Sequence, residues 1–132
     1  MRYRFAIVEI DKLRHHEEIQ EDLLRKCMQD LENDGVVKYP ILVDDEYLIV
    51  LDGHHRVEAL KRLGCTRIPV YLVDYFDDDI EVTTWENAGM ESITKEMIIE
   101  MGRSEKVFPP KTSRHILKCK LEEHPIPLEE LK

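Results

Sequence analysis

The spacing of apolar residues changes period several times along the chain. Tyr3 to Ile10 alternates imperfectly between apolar and polar residues, which predicts a strand. Asp11-Lys12-Leu13 then turns the chain toward His15-His16-Glu17-Glu18. From Ile19 the apolar residues fall at Leu23, Leu24, Cys27, Met28 and Leu31, a helical spacing with one buried face. Asn33-Asp34-Gly35 ends this helix, with Gly35 as the left-handed residue beyond its last turn. Pro40 to Val43 and Tyr47 to Leu51 are short β-rich runs, and Asp44-Asp45-Glu46 between them reads as a hairpin turn. A second helical run carries Val57, Leu60 and Leu63 on one side and closes at Gly64. Ile68 to Val73 and Ile80 to Trp85 read as strands. Thr94 to Met101 reads as a short helix, with Thr94 as its N-cap and Gly102 after it. Phe108-Pro109-Pro110-Lys111 is irregular, because consecutive prolines stop both helices and sheet ladders. Pro125-Ile126-Pro127 and Leu128 to Lys132 read as a tail with at most one helical turn. The pattern is that of an α+β fold, a small mixed β-sheet with two main helices. It predicts one domain over residues 1–120 and a C-terminal tail over 121–132.

Composition narrows the function classes. A chain of 132 residues with 42% hydrophobic content buries a core without needing disulfides or metals. Its three cysteines, Cys27, Cys65 and Cys119, lie far apart and form no CxxC pair, so they read as packing residues. The net charge of −9 repels duplex DNA, and nucleic acid is not an expected partner. No apolar run approaches the roughly 20 residues of a membrane span, and Met1-Arg2-Tyr3-Arg4-Phe5 lacks the pattern of a signal peptide. A cytoplasmic protein with no membrane partner is the expectation.

The charge is unevenly spread. Arg103 to Lys120 holds six basic residues and one acid, which leaves the rest of the chain at −14. Ile68 to Thr94 has seven acids and no Lys or Arg. Within that stretch Asp77-Asp78-Asp79 reads either as a solvated face or as a Mg²⁺ site, and the second reading requires the carboxylates to converge.

Three segments carry candidate chemistry. Asp52-Gly53-His54-His55-Arg56 sits where a strand turns into a helix. A helix start presents unpaired N–H groups and a positive dipole end, and Gly53 permits close backbone approach, so anion binding is the natural use of this turn. The plainer alternative makes Asp52 an N-cap and His55 a core histidine. The basic segment contains Pro109-Pro110-Lys111-Thr112-Ser113-Arg114-His115, where hydroxyls and cations follow a proline-stiffened backbone. That combination suits phosphate, although a basic surface loop has the same composition. Glu17 precedes the first helix, either as a first-turn acid or as a carboxylate placed to accept a hydroxyl proton.

The order of these pieces is informative. His-Glu-Glu, an amphipathic helix, Pro-Ile-Leu-Val, Val-Leu-Asp-Gly-His-His-Arg, a helix ending Leu-Gly-Cys and a strand with Ile-Pro-Val follow one another from about Phe5 to His115. This order resembles the ParB/sulfiredoxin superfamily, and within it the archaeal ADP-dependent free L-serine kinases. Thr84-Trp85 and the Pro-Pro-Lys-Thr-Ser-Arg-His segment sharpen the likeness. The resemblance implies a ParB/sulfiredoxin-like fold and transfer of a phosphoryl group from ADP or ATP, with Mg²⁺, to L-serine or a similar small hydroxyl acceptor. It implies that Glu17 is the catalytic base and that Asp52 orients serine or helps place Mg²⁺. Gly53, His54, His55 and Arg56 would hold the nucleotide phosphates, Trp85 would stand near the serine pocket, and Lys111, Thr112, Ser113, Arg114 and His115 would form a second phosphate- or substrate-binding loop. Only about two dozen residues separate Trp85 from Pro109. The resemblance places extra structure there in longer kinases, so part of a substrate lid is expected to be missing. The rival functions are a non-catalytic ParB-like nucleotide-binding regulator, a DNA-partition or nuclease-type protein and a sulfiredoxin-type reductase. The last needs a cysteine where this chain has His54 and His55.

Overall fold

The computed structural model describes residues 1–86 and 88–132. Four strands form the central sheet: β1 (Tyr3–Glu9), β3 (Ile41–Asp44), β4 (Val50–Asp52) and β5 (Arg67–Val73), with β2 (Val36–Val37) lying outside it. Their spatial order is β1-β5-β3-β4. β1 runs antiparallel to β5, β3 parallel to β5, and β4 antiparallel to β3, so the sheet is mixed as expected.

Both faces of this sheet are buried. Ile41, Val43, Val70 and Leu72 point to one side, where α1 (Glu21–Asp34) and α2 (His54–Arg62) supply Leu24, Leu31, Val57 and Leu60. Leu42, Tyr71 and Val73 point to the other, against Ile80 of β6 (Ile80–Thr84) and Ile98 of α3 (Lys95–Arg103). Two-sided burial explains why β3 and β5 are continuously apolar rather than alternating. β6 pairs antiparallel with β7 (Ser113–Leu117), and this ribbon carries the basic loop back beside the sheet.

The local signals in the sequence have physical counterparts. Gly35 sits at φ +69° and its N–H closes α1 on the Leu31 carbonyl. The Thr94 side chain accepts the Met97 N–H at 3.2 Å, capping α3. Several boundaries differ from expectation. α3 runs through Gly102, buried against Ile49, to Arg103 rather than ending at Met101. α1 begins at Glu21 rather than near Ile19. The turn after β3 runs through Tyr47, because Leu48 takes φ +57° and donates to Asp44 while the Asp44 carboxylate accepts the Tyr47 N–H. These bonds override the strand preference of Tyr47 and Leu48.

The C-terminal segment differs more. Expected as a tail, it is stitched into the core. β8 (Ile126–Pro127) pairs with β2, Leu128 and Leu131 are buried in the α1–α2 core, and the Leu131 carbonyl accepts the N–H groups of Thr66 and Arg67. One turn of 3-10 helix, Leu128–Glu130, is all the helix it contains. Two isolated leucines among charged residues have no detectable period, so their burial was hidden from the pattern. Leu131→Ala should lower stability by about 2–5 kcal/mol, read as an earlier urea midpoint with unchanged slope. A variant as stable as the parent would show this segment to be dispensable.

Candidate active site

Residues from four parts of the chain line one cleft of about 330 Å³. The first wall is the strand-to-helix turn. Asp52 ends β4, and Gly53 at φ +114° turns the chain into α2. Gly53, not Asp52, is the N-cap, so the reading of Asp52 as a capping side chain does not hold. A Cβ on Gly53 would overlap the Ile41 side chain, which makes glycine a steric requirement as well as a conformational one. Asp52 is exposed and its carboxylate enters no hydrogen bond or ion pair among the described residues.

The two histidines of this turn are occupied. His54 is buried, and its Nε2 accepts the His16 N–H at 3.3 Å. His55 is half-buried and its Nε2 accepts the Gln20 N–H at 3.0 Å, which ties the start of α2 to the start of α1. The core histidine is therefore His54, one position before the one the sequence suggested. Arg56 donates to the Tyr39 carbonyl while its side chain also lines the cleft.

The second wall is the proline-stiffened loop with the start of β7. Lys111 adopts φ +59° and faces the cleft. Its ammonium lies 5.3 Å from the Trp85 ring centroid and the Arg114 guanidinium 4.8 Å from it. The Trp85 indole N–H donates to the Ser113 carbonyl at 2.9 Å, so the ring is a fixed platform for two cations. Thr112 departs from expectation. It is buried, it does not line the cleft, and its hydroxyl donates to the Pro109 carbonyl at 2.7 Å. Its role is to close the loop.

Glu17 forms the floor. The Phe108 N–H donates to the His16 carbonyl at 2.7 Å and the Glu18 N–H to the Phe108 carbonyl at 2.8 Å, a short parallel bridge that pins residues 16–18 to the loop. Glu17 Oε1 then accepts from the Ser113 N–H at 2.6 Å and the Ser113 hydroxyl at 2.7 Å. His16, which the sequence presented only as a flank of Glu17, is fully buried beneath it and contacts Ser113 Oγ at 2.8 Å. A polar residue just before a helix gave no hint of this burial. Eleven of the twelve sequence-predicted site residues thus share the cleft, and Thr112 alone stands behind it.

Burial sets the electrostatics. It pushes His16 down to about 3 and His115 down to about 4 from the ordinary 6.5, and it holds His54 well below that value. Tyr75, fully buried, has its phenol pushed up by desolvation, so it stays protonated and donates to His115 Nε2 at 2.7 Å. Positive charge in the cleft therefore comes from Arg56, Lys111 and Arg114 rather than from imidazoles. The Asp77–Asp79 run does not converge. Asp79 pairs with the N-terminal ammonium at 2.7 Å, Asp77 accepts the Asp79 N–H, and no group of three or more His, Cys, Asp or Glu among the described residues could hold a metal ion.

The depressed imidazoles have a consequence for stability. The unfolded chain gains protons near pH 6.5 that the native chain refuses, so stability is full above that value and falls as pH drops toward 4. His16 and His115 should each cost about 2 kcal/mol by about pH 5. Thermal melts should give a Tm several degrees lower at pH 5 than at pH 7.5, and an unchanged Tm would mean that these rings are not buried neutral.

Comparison with known proteins extends this geometry. The chain is 41% identical over 95 residues to an ATP-dependent L-serine kinase of Staphylothermus marinus, covering 68% of this chain and 37% of that protein. It is 37% identical over 86 residues to an ADP-dependent L-serine kinase of Thermococcus kodakarensis, covering 61% and 35%. The match thus spans little more than a third of these relatives. Among solved structures, a free serine kinase in complex with AMP superposes with a TM-score of 0.88 at 20% identity, covering 97% of this chain and 93% of that one, which shows a shared fold. The pattern of the ParB N-terminal domain matches residues 4–88, more than half of the sequence and both the Glu17 segment and the Asp52–Arg56 turn. On that match, the chain belongs to the ParB N-terminal domain family.

Proposed function

We propose that this chain carries the phosphoryl-transfer core of an L-serine kinase, moving the terminal phosphoryl group of ADP or ATP to the hydroxyl of free L-serine. The observation that carries the reading is the placement of Glu17. Its carboxylate is held at one oxygen by Ser113 on the floor of a cleft whose walls are a helix start and two loop cations. Relatives named as L-serine kinases match 68% and 61% of this chain.

The residues divide the work as follows. The N–H groups at the start of α2, entered through Gly53, receive phosphate oxygens. Arg56, Lys111 and Arg114 offset the charge that spreads over the transferred group. Glu17 takes the hydroxyl proton of the acceptor as its oxygen bonds to phosphorus and the bond to the bridging oxygen breaks. Positioning supplies most of the acceleration in such a transfer, because little covalent help is needed. Trp85, exposed beside the cations, gives the acceptor an apolar wall. The side chains of His54 and Thr112, both turned into protein contacts, support the phosphate site from behind.

The donor set fits Mg²⁺. That ion takes one or two carboxylates and completes its shell with phosphate oxygens and water. Asp52 is such a carboxylate, uncommitted and beside the phosphate cradle. When bound, the ion neutralises phosphate charge.

Three measurements test the reading. Incubation with L-serine, Mg²⁺ and either ADP or ATP should yield O-phosphoserine together with AMP or ADP, detected by mass spectrometry. Nucleotide binding without product would instead indicate a regulator. Glu17→Gln should cut kcat by about 10²–10⁴-fold with nucleotide affinity nearly intact, and equal loss of both would exclude a base role. Gly53→Ala should abolish nucleotide binding, since both its φ and the contact with Ile41 forbid a side chain. Calorimetric titration that recovers wild-type affinity would move the phosphate site elsewhere.

A further inference from the structure

His16 is fully buried, and phosphoryl transfer as described above gives it no task. Its contacts can be counted in protons. Nδ1 lies 2.8 Å from the Val50 carbonyl oxygen, Nε2 lies 2.8 Å from Ser113 Oγ, and Ser113 Oγ lies 2.7 Å from Glu17 Oε1. The carbonyl and an ionised carboxylate can only accept. Three short contacts therefore call for three protons. A neutral imidazole brings one and a hydroxyl brings one, while the carboxylate brings none. His16 Nε2 and Glu17 Oε1 are 4.0 Å apart, too far for a direct hydrogen bond, so Ser113 is the bridge between them.

We propose that His16, Ser113 and Glu17 form a hydrogen-bond array that is one proton short when the carboxylate is ready to act, with His16 as a positioning residue that competes with Glu17 for the single hydroxyl hydrogen of Ser113. The proposal rests on the reading of Glu17 as the base. With Nδ1–H committed to Val50, Nε2 is an acceptor, and it draws the Ser113 hydrogen away from Oε1. The carboxylate is thereby held in place by the Ser113 N–H yet left short of one donor. As the acceptor's O–H bond breaks, its hydrogen passes to Glu17 and its electron pair goes into the new O–P bond. The neutral carboxyl no longer holds the Ser113 hydroxyl hydrogen, which turns to His16 Nε2. The array is thus better satisfied after the proton has arrived than before, which is what transition-state complementarity requires of a base.

Burial keeps His16 uncharged, and its neighbours reinforce this. His54 from α2 and His115 from β7 face the ring, and His15 adjoins it. On the cleft side Glu17 shares its surroundings with Asp52 from β4, Arg56 from α2 and Arg114 from β7. All of these are unchanged in the variants below, so differences between variants report the array itself.

The first test uses the unaltered chain and needs no turnover. Nitrogen-15 and carbon-13 NMR of His16 and Glu17 at about neutral pH should find His16 neutral with hydrogen on Nδ1 and Glu17 ionised. An imidazolium, a protonated Glu17 or hydrogen on Nε2 would overturn the proposal. The second test is the pH profile of kcat. His16→Asn keeps a donor near Val50 and removes the Nε2 acceptor, so the Ser113 hydrogen commits to Glu17 and the acid limb should move to lower pH. Ser113→Ala removes the hydroxyl, so the acid limb should move to higher pH. Each should lower kcat about tenfold with KM for nucleotide little changed, and Ser113→Thr should restore the parent profile. Shifts in the same direction, or loss of kcat with no shift, would reduce His16 and Ser113 to packing. Absence of phosphoserine from the parent chain would count against the kinase reading alone, since the proton count stands or falls by NMR.

Discussion

One carboxylate oxygen organises the molecule. Glu17 Oε1 receives the N–H of Ser113 and shares its hydroxyl hydrogen with His16 across 96 residues of sequence, and the His16–Phe108–Glu18 bridge beside it ties the same two segments through the backbone. Charge-assisted bonds of this kind are shorter and stronger than neutral ones, and here they are shielded from water. Together with the backbone bridge they set the position of the proline-stiffened loop against the start of α2. That position brings the cations on the loop, the glycine cradle and the carboxylate to one cleft.

The sheet supplies the rigidity that this hold needs. β3, β4 and β5 are buried on both faces, so the turn at Asp52–Gly53 projects from a framework with little freedom. The C-terminal segment closes one side of that framework through Leu131 and its carbonyl. Rigid support suits the phosphoryl transfer proposed above, a reaction that depends mostly on positioning.

Charge is arranged locally against the global balance. The protein carries −9 overall, yet the cleft gathers Arg56, Lys111 and Arg114 around a helix start. Its histidines contribute hydrogen bonds rather than charge, because burial costs the imidazolium its solvation. Trp85 holds two of the cations over its ring and so presents them as a unit.

Local chemistry was legible in the sequence wherever a residue acts through its own backbone neighbours. Gly35 as a helix end, Thr94 as a cap, the helix start after Asp52 and the stiffness of Pro109-Pro110 all follow from short-range sterics and hydrogen bonding. The apolar periods gave the elements, and the order of motifs gave the family. What no local rule contains is which way a polar side chain turns. Adjacent His54 and His55 look alike in sequence, but one ring is buried against His16 and the other caps the approach to α1. Thr112 and Ser113 look interchangeable, but one hydroxyl closes its own loop and the other crosses the molecule to Glu17. Those choices were made only when the two-sided sheet, the β6–β7 ribbon and the C-terminal leucines packed together. Desolvation and long-range hydrogen-bond partners exist only once distant segments meet, and they decide which of the candidate groups face the cleft and which support it.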